Sequence, residues 1–142
     1  KRFLLVEDND LNGEIATELL NVTGAAIEWA HDGQEAADMF MASGEGYYDL
    51  VLMDIQMPRM NGYEAARTIR SATHPDAKTI PIFAMTADAF SEDVAAARAS
   101  GMNGHIAKPI DSSLLYRILD ETLREKRPAD DMKNAQEIRT QS

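Results

Sequence analysis

Short runs of apolar residues alternate along the chain with longer segments whose apolar residues recur at helical spacing. The apolar runs have the length of β-strands, and they are residues 3–6, 27–30, 50–53, 80–85 and 105–107. The first helical segment places Leu11, Ile15 and Leu19 one turn apart and stops before Gly24, a typical helix terminator. This alternation predicts five strands, each followed by a helix.

The sheet is predicted to be parallel. The strand-like runs are nearly continuous in apolar residues, which is typical of parallel strands covered by helices on both faces. Because crossovers between parallel strands are helical and right-handed, the pattern predicts a doubly wound α/β domain with three layers. Ligands bind such sheets at the carboxyl ends of the strands, so functional residues are expected there. The other four helices are predicted to start after Gly33, after Asn61-Gly62, after Ser91 and near Asp111 or Ser112.

Composition narrows the class of protein. The chain has 142 residues, of which 44% are hydrophobic and 27% charged, and this fits one globular domain. The absence of cysteine excludes a disulfide scaffold, a thiolate zinc site and a cysteine nucleophile. The net charge of −10 opposes direct binding to nucleic acid or to an anionic membrane. We expect a cytoplasmic domain without membrane contact of its own, and a membrane anchor elsewhere in a parent chain is compatible with this.

The two ends of the sequence differ in character from its middle. Residues 128–142 contain few apolar residues and begin with Pro128, which stops an entering helix. The sequence therefore predicts a domain over residues 1–127 and a linker or tail over residues 128–142. Because the chain opens at Lys1 directly ahead of a strand-like run, we expect a piece of a longer protein.

Polar residues follow four of the five predicted strands. They are Glu7 and Asp8, Asp54, Thr86, and Lys108 with Pro109. Three carboxylates at one edge of a sheet raise one another's pKa unless a cation compensates them. Oxygen ligands without Cys or His favour a hard ion, and so few carboxylates suit Mg²⁺ better than Ca²⁺, with Mn²⁺ able to substitute.

These residue types together suit phosphoryl transfer. Asp54 is the candidate nucleophile, which would form an aspartyl phosphate. Glu7 and Asp8 are candidate residues for holding the metal ion. Lys108 could pair with one phosphoryl oxygen, and the Thr86 hydroxyl could hydrogen-bond to another.

Four separated motifs resemble the receiver domains of two-component signalling. The motifs are residues 5–9 (LVEDN), 49–62 (DLVLMDIQMPRMNG), 81–87 (PIFAMTA) and 101–111 (GMNGHIAKPID). They occur in the order of the family, and the resemblance covers residues 3–123. It implies a flavodoxin-like (βα)5 fold with strand order 2-1-3-4-5. The amino-acid sequences of the second and fourth motifs look most like those of receivers attached to hybrid sensor histidine kinases.

The resemblance implies a role for each acidic residue at the candidate site. Asp54 matches the phosphoacceptor, which also contacts the metal. Asp8 matches a direct Mg²⁺ ligand, whereas Glu7 would act mainly through water. The backbone carbonyl of Gln56 matches the third protein ligand.

The resemblance also implies a conformational switch. Thr86 matches the switch hydroxyl and Lys108 matches the family's lysine, joined to Pro109 by an expected cis peptide bond. The family commonly has Tyr or Phe at the position where this chain has His105. His105 is therefore either a half-buried residue with only a packing role or a switch residue that replaces the usual aromatic ring.

The function that follows is a phosphorelay receiver that takes a phosphoryl group from a histidine kinase or a histidine phosphotransfer domain. Such a domain catalyses only its own phosphorylation and dephosphorylation, although its parent chain can be a kinase. A stand-alone response regulator is the alternative parent. A metal-dependent phosphatase is disfavoured because position 56 is Gln and not a second acid. A degenerate binding module is disfavoured because Asp54, Thr86 and Lys108 are all present.

Several residues outside the site receive ordinary structural interpretations. His31 and His74 lie in loop-like contexts and are predicted to be solvated at the surface. Trp29, on the second predicted strand, is predicted to be part of the core. The methionines near the third predicted strand are expected to pack in the core or anchor the next loop; they are Met53, Met57 and Met60.

Overall fold

The computed structural model of the chain describes residues 1–55, 57, 60–86, 91–107 and 111–126. Strands and helices alternate as predicted. The elements are β1 (Arg2–Val6), α1 (Asp10–Asn21), β2 (Ala26–Ala30), α2 (Gly33–Ala42), β3 (Leu50–Asp54), α3 (Gly62–Ser71), β4 (Ile82–Thr86), α4 (Ser91–Ala99), β5 (Gly104–Ala107) and α5 (Ser112–Lys126). The chain divides into two compact units, Lys1–Ile110 and Asp111–Ser142. The first unit contains the whole sheet.

The five strands form one parallel sheet in the order β2-β1-β3-β4-β5. This confirms the predicted doubly wound fold and its strand order. The inner strands β3 and β4 are buried over their whole length, whereas β2 is half-exposed because it lies at the edge. Because all the strands are parallel, the carboxyl ends of the neighbouring strands β1, β3 and β4 lie at one edge of the sheet.

The predicted start of the fourth strand was wrong by two residues. Ile80 is fully buried but belongs to the preceding turn, where its N–H donates to the Asp76 carbonyl at 3.0 Å. Pro81 has no N–H to donate to a ladder and contributes only its carbonyl, which accepts from Val51 N at 2.9 Å. At the other end, Thr86 is the last residue of β4 and does not lie beyond the strand.

A hydrophobic cluster covers one face of the sheet. Leu4, Val51 and Ile82 supply the strand side of this cluster, and Phe40 of α2 and Ile69 of α3 supply the helix side. The core interpretation of the methionines is confirmed, since Met53 and Met57 are buried and Met60 packs against the cluster. This cluster packs α2 and α3 against the same face of the sheet.

His74 was wrongly predicted to be solvated. Its half-buried ring packs on Phe40 with 4.4 Å between ring centroids. Nε2 lies 2.8 Å from the Ser43 carbonyl, and Nδ1 accepts a hydrogen bond from Asp76 N at 3.0 Å. The ring joins the end of α2 to the loop before β4, a contact between residues distant in sequence. The prediction for His31 is confirmed, because that side chain is exposed.

The edge strand β2 is tied to the loop that precedes β3. The Glu28 carboxylate accepts hydrogen bonds from the Tyr47 hydroxyl at 2.5 Å and the Tyr48 hydroxyl at 2.7 Å. The Tyr47 hydrogen bond is the main cause that lowers the pKa of Glu28. Burial raises the pKa of Tyr48, and so does the hydrogen bond that its hydroxyl donates to the Glu28 carboxylate. Arg2 stacks over the Tyr47 ring at 4.0 Å and completes this group of side chains.

The second unit contains α5. Leu115, Leu119 and Leu123 are buried and follow one another at intervals of four residues, which places them on one face of the helix. The helix ends at Lys126, and the predicted tail of residues 128–142 lies outside the described residues. None of the helices described is both long and apolar enough to cross a membrane.

Candidate functional site

Three carboxylates meet at the carboxyl edge of the sheet, as predicted. Glu7 and Asp8 follow β1 directly, and Asp54 ends the neighbouring strand β3. One carboxylate oxygen from each residue lies within 4.8 Å of the other two. Glu7 and Asp54 are 1% and 6% exposed, whereas Asp8 is exposed to solvent. The sheet therefore brings three negative charges together at its carboxyl edge. The exposed carboxylate of Asp8 is in contact with solvent.

This donor set fits a divalent cation. Buried carboxylates so close together repel one another, and a hard cation relieves the repulsion while accepting their oxygens as ligands. All three ligand atoms are carboxylate oxygens, which suits Mg²⁺ or Mn²⁺ better than a softer metal ion. Gln56, whose carbonyl was predicted to be a further ligand, lies outside the described residues.

The turn after β1 is held by hydrogen bonds to the end of β2, to the Glu7 side chain and to the start of α1. Glu7 N donates to the Ala30 carbonyl at 3.0 Å, and Asn9 N donates to Glu7 Oε1 at 3.3 Å. The Asn9 side chain caps α1 by accepting from Asn12 N at 2.9 Å. The helix thus begins three residues after Glu7, and the positive end of its dipole lies near the acidic pair.

The segment after β3 is held by the start of α3. Gly62 N donates to the Ile55 carbonyl at 2.9 Å. A Cβ atom on Gly62 would lie 2.5 Å from the Asp54 carbonyl oxygen and 2.8 Å from Ile55 Cα. Asn61 and Glu64 form a capping box, with reciprocal hydrogen bonds of 2.9 and 3.2 Å. The sequence places Gly62 only at the start of a helix and does not predict this close approach to the backbone of Asp54.

Thr86 ends β4, one residue beyond the position that pairs with Asp54 in the β3–β4 ladder. Met85 is the register partner of Asp54, and the Met85 carbonyl accepts from Ile55 N at 3.2 Å. Thr86 follows Met85 and is 7% exposed, so the structure brings this predicted site residue to the acidic edge. Lys108 follows the end of β5, but both Lys108 and Pro109 lie outside the described residues.

His105 occupies a half-buried position on β5. Its register partner on β4 is Ala84, two residues before Thr86. Because side chains alternate along a strand, His105 and Thr86 project from the same face of the sheet. This placement is compatible with both interpretations of His105, and its role as a switch stays a prediction.

The chain matches one protein family over most of its length. A model of the response regulator receiver domain matches residues 3–120. The chain is 37% identical over 122 residues to hybrid signal transduction histidine kinase I of Dictyostelium discoideum. That alignment covers 84% of this chain but 7% of the kinase, so the chain spans a small part of this relative.

Solved receiver structures have the same fold. The receiver domain of sensor histidine kinase PA1611 of Pseudomonas aeruginosa, with a magnesium ion in its active site cleft, superposes with a TM-score of 0.78 at 33% identity. That match covers 87% of this chain and 97% of the other. A chain from the complex of histidine phosphotransfer protein Ypd1 with the Ssk1 receiver of Saccharomyces cerevisiae matches with a TM-score of 0.76 at 29% identity, covering 88% and 90% of the two chains.

Proposed function

Because this chain belongs to the response regulator receiver domain family and is homologous to the receivers of hybrid histidine kinases, we propose that Asp54 accepts a phosphoryl group from a phosphohistidine. The donor is a histidine kinase or a histidine phosphotransfer domain, and the parent chain is a hybrid sensor kinase. The observation that supports this most directly is the buried Asp54 carboxylate within 4.8 Å of those of Glu7 and Asp8.

The reaction is an in-line displacement at phosphorus. A carboxylate oxygen of Asp54 forms a bond to phosphorus while the bond between phosphorus and the donor imidazole nitrogen breaks. The electron pair of that bond leaves with the imidazole, and the product is an aspartyl phosphate. Mg²⁺, when bound, neutralises charge on the phosphoryl oxygens. The chain's own contribution is to hold the nucleophile at the end of a rigid, buried strand.

The predicted roles of the neighbouring residues are part of the same proposal. Asp8, Asp54 and the Gln56 carbonyl would hold the cation, and Glu7 would contribute through water. After transfer, the hydroxyl of Thr86 and the ammonium of Lys108 would each bond a phosphoryl oxygen. These bonds would favour one of two arrangements of the segments after β4 and β5. In this switch, His105 would change position together with Thr86.

The boundaries and location of the domain complete the proposal. Residues 1–127 would form the receiver in the cytoplasm, and residues 128–142 would connect it to the rest of its parent. The end of α5 at Lys126 and a family match that reaches residue 120 support this boundary.

The direct test is metal-dependent phosphorylation of the chain by a small donor. Incubation with acetyl phosphate and Mg²⁺ is expected to add one phosphoryl group, and adding excess chelator is expected to prevent it. Intact mass spectrometry measures the adduct, and peptide mapping assigns it to the end of β3. An adduct that forms equally well in the presence of chelator would contradict the proposed metal site. The proposal that Asp54 is the phosphoacceptor would then still stand.

The exposed face of α1 is the proposed docking surface for the phosphodonor. Leu11 and Ile15 lie one helical turn apart and are 65% and 48% exposed. The helix begins two residues after Asp8, so this apolar face lies beside the acidic site. A histidine phosphotransfer domain must bring its phosphohistidine to Asp54, and an apolar surface at this position can bury area during the encounter.

Loss of this surface is expected to slow transfer from a protein donor alone. We expect Leu11→Ala combined with Ile15→Ala to reduce the rate of transfer from phosphorylated Ypd1 about tenfold, since truncating the few central anchor residues of an interface costs more than about 1 kcal/mol. The rate with acetyl phosphate should stay unchanged. Val22→Ala is the matched control, because Val22 is 75% exposed and is the C-cap residue of α1, at the end of the helix away from Asp8. Equal transfer rates for both variants would contradict the docking surface.

A further inference from the structure

The backbone of Glu7 is bonded on both sides by residues of β2. Glu7 N donates to the Ala30 carbonyl at 3.0 Å, and the Glu7 carbonyl accepts from the indole Nε1 of Trp29 at 2.8 Å. That carbonyl belongs to the peptide group that joins Glu7 to Asp8. Because a peptide group is planar, a bond to its oxygen fixes the orientation in which the chain enters Asp8. Trp29 therefore acts on the backbone between the two acids.

The indole is packed against α1 at Gly13 and against the ring of His31. A Cβ atom on Gly13 would lie well inside contact distance of the Trp29 ring, so α1 admits the ring only because residue 13 is glycine. His31 stacks on the ring with 4.9 Å between centroids and 17° between planes. Glycine inside a helix is unfavourable relative to alanine, so this arrangement has a cost in helix stability.

Trp29 does not belong to the buried core, contrary to its predicted role. It is half-exposed on the edge strand, where its N–H could equally bond to water. It is nevertheless directed at the carbonyl beside the cation site. A purely apolar contact with α1 would not require an indole with a donor directed this way.

We propose that Trp29 is a positioning residue that orients Glu7 and Asp8 toward Asp54 for divalent cation binding. The inference rests on the proposed function only in taking this acidic cluster as a cation site. The indole holds the Glu7–Asp8 peptide group before the cation arrives, so its N–H lowers the cost of ordering the two carboxylates. The same contact makes the indole, the single tryptophan of the chain, sensitive to cation binding.

The test compares Mg²⁺ affinity between variants of the whole chain. Replacing Trp29 with benzothienylalanine, which keeps the shape of the ring but lacks the N–H, is expected to weaken Mg²⁺ binding about tenfold, as loss of a bond that orients a metal ligand commonly does. Trp29→Phe should weaken it at least as much. Isothermal calorimetry measures the dissociation constant, and far-ultraviolet circular dichroism measures the melting midpoint, which should change little for the isosteric analogue.

Tyr48→Phe is the matched control. It also removes one hydrogen bond to β2, at Glu28, but none at the turn between Glu7 and Asp8. Its Mg²⁺ affinity should equal that of the wild type. In the wild-type chain, Mg²⁺ should change the tryptophan emission in a saturable way that chelator reverses, and Asp8→Asn should remove this response.

The outcomes separate this inference from the proposed function. Wild-type Mg²⁺ affinity in the benzothienylalanine variant would overturn the role of Trp29 and leave the cation site in place. No Mg²⁺ binding by the wild-type chain would overturn both. A further variant, Gly13→Ala, keeps the indole but forces the ring to move. It should weaken Mg²⁺ binding and alter the emission, and unchanged values for both would also overturn the proposal.

Discussion

Replacing Asp54 with Asn is expected to abolish the phosphoryl adduct while the domain stays folded. An amide oxygen is too weak a nucleophile to displace imidazole or acetate from phosphorus, so no acyl phosphate forms. Asn has nearly the same shape as Asp, and the change removes one negative charge from a cluster of three carboxylates. The thermal midpoint measured without Mg²⁺ should therefore not fall. Intact mass spectrometry after incubation with acetyl phosphate and Mg²⁺ checks the chemistry.

Asp49→Asn is the matched control for this experiment. Asp49 lies just before β3, at the opposite end from Asp54, and its carboxylate accepts from Arg2 N at 2.8 Å. Asn keeps an acceptor for that hydrogen bond, so phosphorylation should proceed at the wild-type level. An adduct of wild-type yield in Asp54→Asn would show that the phosphoacceptor lies elsewhere. Loss of the adduct in Asp49→Asn would show that the effect is not specific to Asp54.

Replacing Gly62 with Ala is expected to impair both stability and phosphorylation. The added methyl group would lie 2.5 Å from the Asp54 carbonyl oxygen, and a backbone atom cannot move aside as the end of a flexible side chain can. Overpacking of this kind costs about 1–3 kcal/mol of unfolding free energy. Relief of the clash must shift either α3 or the end of β3, and the second shift displaces the Asp54 carboxylate. Urea unfolding and the initial rate of phosphorylation by acetyl phosphate measure the two effects.

Gly44→Ala separates this contact from the general effect of losing a glycine. A Cβ atom on Gly44 would meet no atom within 4 Å. Because alanine also reduces the entropy of the unfolded chain, this variant should be as stable as the wild type or slightly more so. Its phosphorylation rate should not change. If Gly62→Ala behaved like Gly44→Ala in both measurements, the close approach of α3 to Asp54 would have no energetic consequence.

The local patterns of the chain were sufficient to predict five parallel strands alternating with helices. Apolar runs without alternation indicate buried parallel strands, and all five strands of the sheet are parallel. The order of the strands followed from the resemblance to receiver domains, and the sheet has that order. Element ends were predicted less well, because burial alone does not distinguish a strand from a turn. Ile80 is as buried as the strand residues that follow it, yet its hydrogen bond closes a turn onto Asp76.

The proximity of the acidic residues could also be predicted from the sequence, since the strands of a parallel sheet end at a common edge. Each of Glu7, Asp8 and Asp54 follows or ends an apolar run, and the fold brings all three together. Their carboxylates could therefore be assigned to one site without knowledge of any distance. The resemblance to receiver domains then supplied the roles that charge and spacing alone left open.

Contacts between residues distant in the sequence were decided only by the tertiary structure. Trp29 donates to a carbonyl 22 residues away, through a space that exists because α1 has a glycine at position 13. His74 is half-buried because α2 ends with Ser43 within reach of its ring. Gly62 touches the backbone of Asp54 because α3 starts against the end of β3. Periodicity and turn signals describe each segment alone, whereas these contacts depend on the distances between packed segments.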